Sequence, residues 1–187
     1  MKSSFPRSRL EPGGTRSRLR GFTLIEVLVV VLIIGVLLTF ASLSIGDRAI
    51  AERVETESKR LEQLFRLALE DAEIKGYEIG FRLTDTRYEF LAIGPEGQWR
   101  PFDQGPLRPR ALTAPLLYAL RVDGRPVPPA RENLEKEVPP QPQVLLLSSG
   151  EATAFSLDFS APGAPLAYRV EADPMGRIRR AALDGES

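Results

Sequence analysis

Between Phe22 and Leu38 every residue except Thr23, Glu26 and Gly35 is apolar, and the run thins out only at Ile45. As a helix, Phe22–Ile45 would be roughly 36 Å long, enough to cross a hydrocarbon core of about 30 Å. Glu26 is the anomaly. A carboxylate in such a run costs about 2.5–3.5 kcal/mol at the membrane centre and less near an end. A cut between Gly21 and Phe22 would place a new α-amino group four residues before Glu26, on the same helix face. That amine can pair with the carboxylate in the same chain or in a neighbour.

The hexapeptide Gly21-Phe22-Thr23-Leu24-Ile25-Glu26, preceded by a basic tail, resembles the cleavage and assembly motif of type IV pilins and of the pseudopilins of type II secretion. The resemblance implies that a prepilin peptidase cuts after Gly21 and N-methylates Phe22. It also implies that Glu26 guides packing in a filament. An ordinary signal anchor, or a secretory signal cleaved near Ala41-Ser42-Leu43-Ser44, would leave Glu26 unexplained.

Charge is unevenly distributed along the 187 residues. Residues 1–21 hold six Lys/Arg (Lys2, Arg7, Arg9, Arg16, Arg18, Arg20) and one acid, Glu11. The rest of the chain has 19 basic and 24 acidic residues, a net of −5. An acidic mature chain disfavours nucleic acid as a partner. The basic tail beside the apolar run predicts a cytoplasmic N-terminus, with everything after Ile45 across the membrane. With no cysteine, the fold has no disulfide and rests on its core.

The expected division is a leader at 1–21, disordered by composition, a membrane and filament-core helix at 22–45, and a periplasmic domain at 46–187. Val54, Leu61, Phe65, Ala68 and Ala72, widened by Leu64 and Leu69, form a helical stripe. Glu55–Lys59 and Glu62–Arg66 are favourable i,i+4 pairs on the charged face. Gly76 is the expected stop. One helix, Phe22–Lys75, would reach roughly 80 Å if straight. Its first half is all apolar. Its second half, 47–75, needs a sheet to cover its stripe.

Strands are expected through 78–183. Glu78–Leu83 and Tyr88–Ile93 flank a turn at Thr84–Arg87, and a further strand begins at Gln98-Trp99-Arg100. Ile79, Phe81 and Leu83 should share one face. Residues 101–142 hold ten of the sixteen prolines and read as a long loop around a strand at Leu116–Val122, with a helical turn at Glu132–Glu137. A loop of that length is expected to be functional, through a partner contact, or mobile. Gln143–Leu147, Thr153–Phe159, Leu166–Ala172 and Arg177–Leu183 complete an antiparallel set. The expected fold class is therefore α+β and pilin-like, a long N-terminal helix packed on antiparallel sheet.

The segment Gln141–Phe159, with Asp173-Pro174-Met175-Gly176-Arg177, resembles the C-terminal domain shared by the GspH-type pseudopilins of type II secretion and the FimT-type minor pilins. The resemblance implies a minor pseudopilin at or near the tip of a short periplasmic pseudopilus that drives protein export across the outer membrane. Its partners would be other pseudopilins, the prepilin peptidase and inner-membrane lipid.

No catalytic chemistry is legible. Without histidine or cysteine there is no Ser–His or Cys–His pair and no usual zinc set. No carboxylate spacing fits a calcium loop, and no phosphate-binding glycine loop occurs. Neither enzyme activity, cofactor nor metal is expected. One rival reading rests on Gly176-Arg177-Ile178-Arg179-Arg180. Arg177 and Arg179 should share a strand face, and the stretch is similar to the arginines with which FimT-type pilins bind DNA, making Arg177, Arg179 and Arg180 the alternative binding set.

Overall fold

The computed structural model describes residues 22–94, 96–132 and 139–184, without the side chains of 39–47 and 184. The leader, Gly21 and most of the helical turn expected at Glu132–Glu137 lie outside the described residues. Helix α1 runs over Leu24–Lys75, through both Gly35 and Gly46. The chain divides into two compact units, 1–41 and 42–187.

In the first unit the described apolar side chains are exposed on every side of the helix, from Leu24 at 84% to Val29 at 44%. A helix apolar all round calls for an apolar surrounding. Among the described residues no helix is long and apolar enough to cross a membrane. The expected span, 22–45, runs into residues 39–47, whose side chains lie outside the description.

In the second unit α1 ends where expected. Gly76 takes φ +69° and donates its N–H to Ala72 O at 2.9 Å, the left-handed cap that glycine adopts at least cost. The strands form two antiparallel sheets. The first contains β1 (Ile79–Leu83), β2 (Arg87–Ile93), β3 (Trp99–Pro101) and β4 (Arg110–Ala111), and later β7 (Val144–Leu146). Its order is β3-β2-β1-β7, with β4 also on β2. The second contains β5 (Leu117–Val122), β6 (Arg125–Val127), β8 (Phe155–Ser160), β9 (Leu166–Ala172) and β10 (Ile178–Asp184), in the order β10-β9-β8-β5-β6.

The apolar stripe of α1 closes both sheets. Val54, Leu61, Phe65, Ala68 and Ala72 are fully buried. Phe65 sits at the junction, with its ring centroid 4.7 Å from Phe81 of β1, 5.4 Å from Phe90 of β2 and 4.5 Å from Phe155 of β8. Tilted aromatic contacts of this kind add to the gain from area burial.

The described residues of 101–142 hold more strand than a long loop. Beyond β5 they carry β4 and β6. The β5–β6 hairpin turns on Asp123-Gly124, both at positive φ (50° and 76°), with Val122 paired to Arg125. This is the two-residue Asp-Gly turn that matches strand twist. The proline count hides it in the sequence. The chain then returns over the first sheet. Ala130 N–H donates to Leu83 O at 2.7 Å, and Arg82 Nη2 donates to Arg131 O at 2.5 Å. The Gln143 amide closes the return, accepting from Leu83 N–H at 2.7 Å and donating to Pro128 O at 2.9 Å.

This cover changes the expected alternation in β1. All five of its residues are buried, so the second face is buried too. A side chain at Gly80 would collide with Pro142. Arg82 is 5% exposed at its side chain and pairs with Glu89 on β2 at 2.8 Å.

A polar cluster lies under α1. Glu57 Oε1 accepts from Arg60 Nη2 at 2.6 Å and from the Tyr88 hydroxyl at 3.2 Å, and Arg60 also reaches the Tyr88 oxygen at 2.6 Å. Burial is the leading cause that pushes the Tyr88 phenol up to about 12, against the downward pull of Arg60.

Phe65→Ala should lower unfolding free energy by about 3–5 kcal/mol, the usual cost of an emptied aromatic site, read as a shift in the urea midpoint. Because the native Tyr88 holds its proton beyond the unfolded pKa near 10, stability should fall as pH rises from about 10 toward 12. Tyr88→Phe should flatten that slope in melts taken between pH 8 and 11.5, and an unchanged slope would refute the assignment.

Candidate processing and assembly segment

Thr23 fixes the start of α1. Its carbonyl accepts from Glu26 N–H at 3.1 Å and Val27 N–H at 3.3 Å, and its hydroxyl accepts from Glu26 N–H at 3.3 Å. Thr23-Leu24-Ile25-Glu26 is thus half of a capping box, with Thr23 as N-cap. The T-x-x-E spacing before an apolar run is the sequence signal for this role. Glu26 sits in the first helical turn, where the helix dipole favours a carboxylate. It is exposed. Phe22, one residue before the cap, is 77% exposed. Gly21 lies outside the described residues. From Phe22 on, the segment is an exposed residue followed by a capped helix bearing one acid on an otherwise apolar surface. Among the described residues no cluster of His, Cys, Asp or Glu suited to a metal occurs.

The three arginines of the rival reading do not act together. The turn before β10 is built by Asp173, whose Oδ1 accepts from Met175 N–H at 3.0 Å and Arg177 N–H at 3.1 Å. Arg177 Nε pairs with Asp173 Oδ2 at 2.7 Å. The backbone hydrogen bond from Arg177, followed by its guanidinium, lowers the Asp173 carboxyl from its ordinary value. Arg177 and Arg179 do line one cavity of about 320 Å³, in company with Glu171 and Asp173. Arg180 turns to the opposite face. Its Nη1 donates to Ser58 Oγ at 3.2 Å, its Nε lies 3.8 Å from Glu62 Oε2, and its guanidinium stands 4.7 Å above the Tyr168 ring. Ser58, Glu62 and Tyr168 as its partners could not be read from the sequence, because they come from α1 and β9.

At the tip of the β9–β10 hairpin Gly176 takes φ +72°, and a side chain there would run into Gly150 O and Leu69. The hairpin, the turn before β8 and α1 meet at that point.

Two family models match the chain. A family model described as Prokaryotic N-terminal methylation motif matches residues 16–42, and one described as Type II transport protein GspH matches residues 57–176. The Type II secretion system protein H of Pseudomonas aeruginosa is 33% identical over 170 residues, covering 89% of this chain and 91% of the relative. That of Aeromonas hydrophila is 26% identical over 172 residues, covering 88% and 94%. A crystal structure of the minor pseudopilin EpsH from the type II secretion system of Vibrio cholerae superposes with a TM-score of 0.59 at 26% identity, covering 74% of this chain and 99% of that one. A second structure of the Vibrio cholerae protein gives 0.56 at 25% identity, covering 69% and 96%. A long helix packed on antiparallel sheets, a methylation motif at its head and relatives aligned over almost their whole length lead to one assignment: this chain belongs to the GspH family, the minor pseudopilins of type II secretion.

Proposed function

We propose that the chain is stored in the bacterial inner membrane by the Phe22–Ile45 segment, with residues 46–187 in the periplasm. A prepilin peptidase cuts it after Gly21 and N-methylates Phe22, and it is then drawn into the pseudopilus at or near its tip. The observation that carries this reading is the methylation motif at 16–42 heading a helical stretch whose described apolar side chains, from Leu24 to Leu38, are exposed on every side. Such a surface suits lipid before assembly and neighbouring helices after it.

Glu26 is the assembly contact. Once Gly21 is removed, the amine of Phe22 carries a positive charge, and a carboxylate within an apolar filament core needs such a partner. The action is mechanical: protomers pack, the filament lengthens, and folded cargo is pushed outward. GspH-family proteins are structural components, and no bond chemistry is assigned to this chain. A nucleic-acid role for Arg177, Arg179 and Arg180 has less support, since Arg177 is paired to Asp173 and Arg180 is committed to α1.

Gly21→Ala should leave the leader attached, adding its mass to the mature chain by intact-protein mass spectrometry; a wild-type mass would reject cleavage at this joint. Glu26→Ala should be cleaved normally yet abolish secretion of the cargo in a host lacking the wild-type gene. Normal secretion by that variant would rule out the filament role.

A further inference from the structure

One end of the second sheet is built almost without charge. Asp, Glu, Lys and Arg make up 27% of the chain, yet 111–120 and 159–168 contain none of them. These stretches hold the start of β5, the end of β8 and the start of β9. Leu117 lies opposite Ser160, Tyr168 opposite Phe159 and Ala167 opposite Leu183, so these strand ends and the turn at 161–165 form one rim. Leu117 is 57% exposed and Leu166 39%, and Ala114, Pro115, Pro162, Pro165 and Ala182 are exposed beside them. A single exposed leucine needs no explanation. A rim of Leu, Pro and Ala drawn from three segments, with Asp184 opposite Leu166 as its charged member, marks a contact surface. The other charge-free run of the globular unit, 138–150, ends at Gly150 beside Glu73, near the far end of α1.

Two independent sets of contacts place the rim along α1. Thr113 and Leu116 share a cavity of about 320 Å³ with Ala49, Glu52, Arg53 and Thr56. On the other side β10 runs antiparallel to α1, with Arg66 donating to Ile178 O and Arg180 donating to Ser58. From Arg180 the strand continues to Asp184, about 14 Å, which is the rise of about nine helical residues. Asp184 and its partner Leu166 therefore come level with α1 near Ala49. Ala49 follows Ile45, where the apolar run ends, by a rise of about 6 Å. The headgroup layer adds roughly 5–8 Å to each side of a bilayer's hydrocarbon core.

We propose that this rim, through Leu117, Leu166 and the prolines around them, rests in the lipid headgroup layer while the chain is stored in the membrane. The inference rests on the storage proposed above. Attraction between charges does not supply the contact. At this level Arg48 and Arg53 stand against Asp47, Glu52 and Asp184, with Glu186 following in the sequence, so there is no basic excess to draw in an anionic surface. Asp158 and Arg169, one row further into the sheet, pair with each other at 2.6 Å. Apolar side chains seated at the acyl boundary supply the affinity, in proportion to the area they bury. The contact gives the globular unit a fixed side toward the membrane.

The chain has no cysteine, so single environment-sensitive labels can be placed. The full chain goes into phosphatidylcholine vesicles with an NBD label on Leu117→Cys, Leu166→Cys or Met175→Cys. Met175 is 69% exposed in the β9–β10 turn, at the opposite end of the sheet, and serves as the control. Lipid with a nitroxide on its headgroup should quench the labels at 117 and 166 at least twofold more than the label at 175, equally in low and high salt. Adding Leu117→Asp to the Leu166→Cys chain should bring its quenching down to the level at 175. A label on Val31→Cys, quenched by a nitroxide in the acyl chains, reports the storage itself. An unquenched label at 31 would overturn both readings. Quenching at 31 with labels at 117 and 166 no more quenched than at 175 would overturn this inference alone. So would undiminished quenching in a normally melting Leu117→Asp chain. A blue shift at 117 and 166 that appears only at high protein-to-lipid ratio would overturn it too, since a second copy would then cover the rim.

Discussion

Phe65 is the point on which the globular unit depends. Its ring meets Phe81 and Phe90 from one sheet and Phe155 from the other. One side chain of α1 therefore fixes the spacing between two sheets that share no strand. Burial of large apolar groups is the principal favourable term in a fold without disulfides, and this contact concentrates it at a three-way junction. The neighbouring Glu57–Arg60–Tyr88 cluster does a different job: Glu57, Arg60 Nη2 and the Tyr88 hydroxyl pair with one another at one helix register only, so sliding α1 by a turn would leave the buried Glu57 without its partners.

Much of this was legible. The stripe from Val54 to Ala72 announced which half of the helix would be covered, and β9 falls on Leu166–Ala172 as alternation and turn residues require. Three features were not. That the strands part into two sheets depends on long-range pairings such as β7 with β1, which local periodicity does not encode. The Asp123-Gly124 hairpin was obscured by surrounding prolines, although Asp-Gly is a strong turn signal in its own right. Burial of Arg82 and Glu89 contradicts what a charged residue on a strand suggests, and becomes reasonable only once the returning chain covers them.

The proposed processing segment rests on sequence for the opposite reason. Gly21, Phe22 and Glu26 lie within six residues of one another, and the roles proposed for them depend on sequence order, so no tertiary information enters that proposal. The arginines required the fold. A run written Arg-Ile-Arg-Arg looks like one basic patch, yet the strand sends Arg179 and Arg180 to opposite faces, and Ser58, Glu62 and Tyr168 occupy the latter. Linear charge density is a poor guide wherever a strand alternates and a helix lies against one side.

The Gln143 amide has a consequence for how this chain tolerates change. By gripping Leu83 on the sheet and Pro128 at the start of the returning segment, it ties the two ends of that excursion at the neck. A change of length between them costs little in closure entropy, which grows only by about 0.6 kcal/mol per doubling, as long as Ala130 and Arg131 keep their hold on β1.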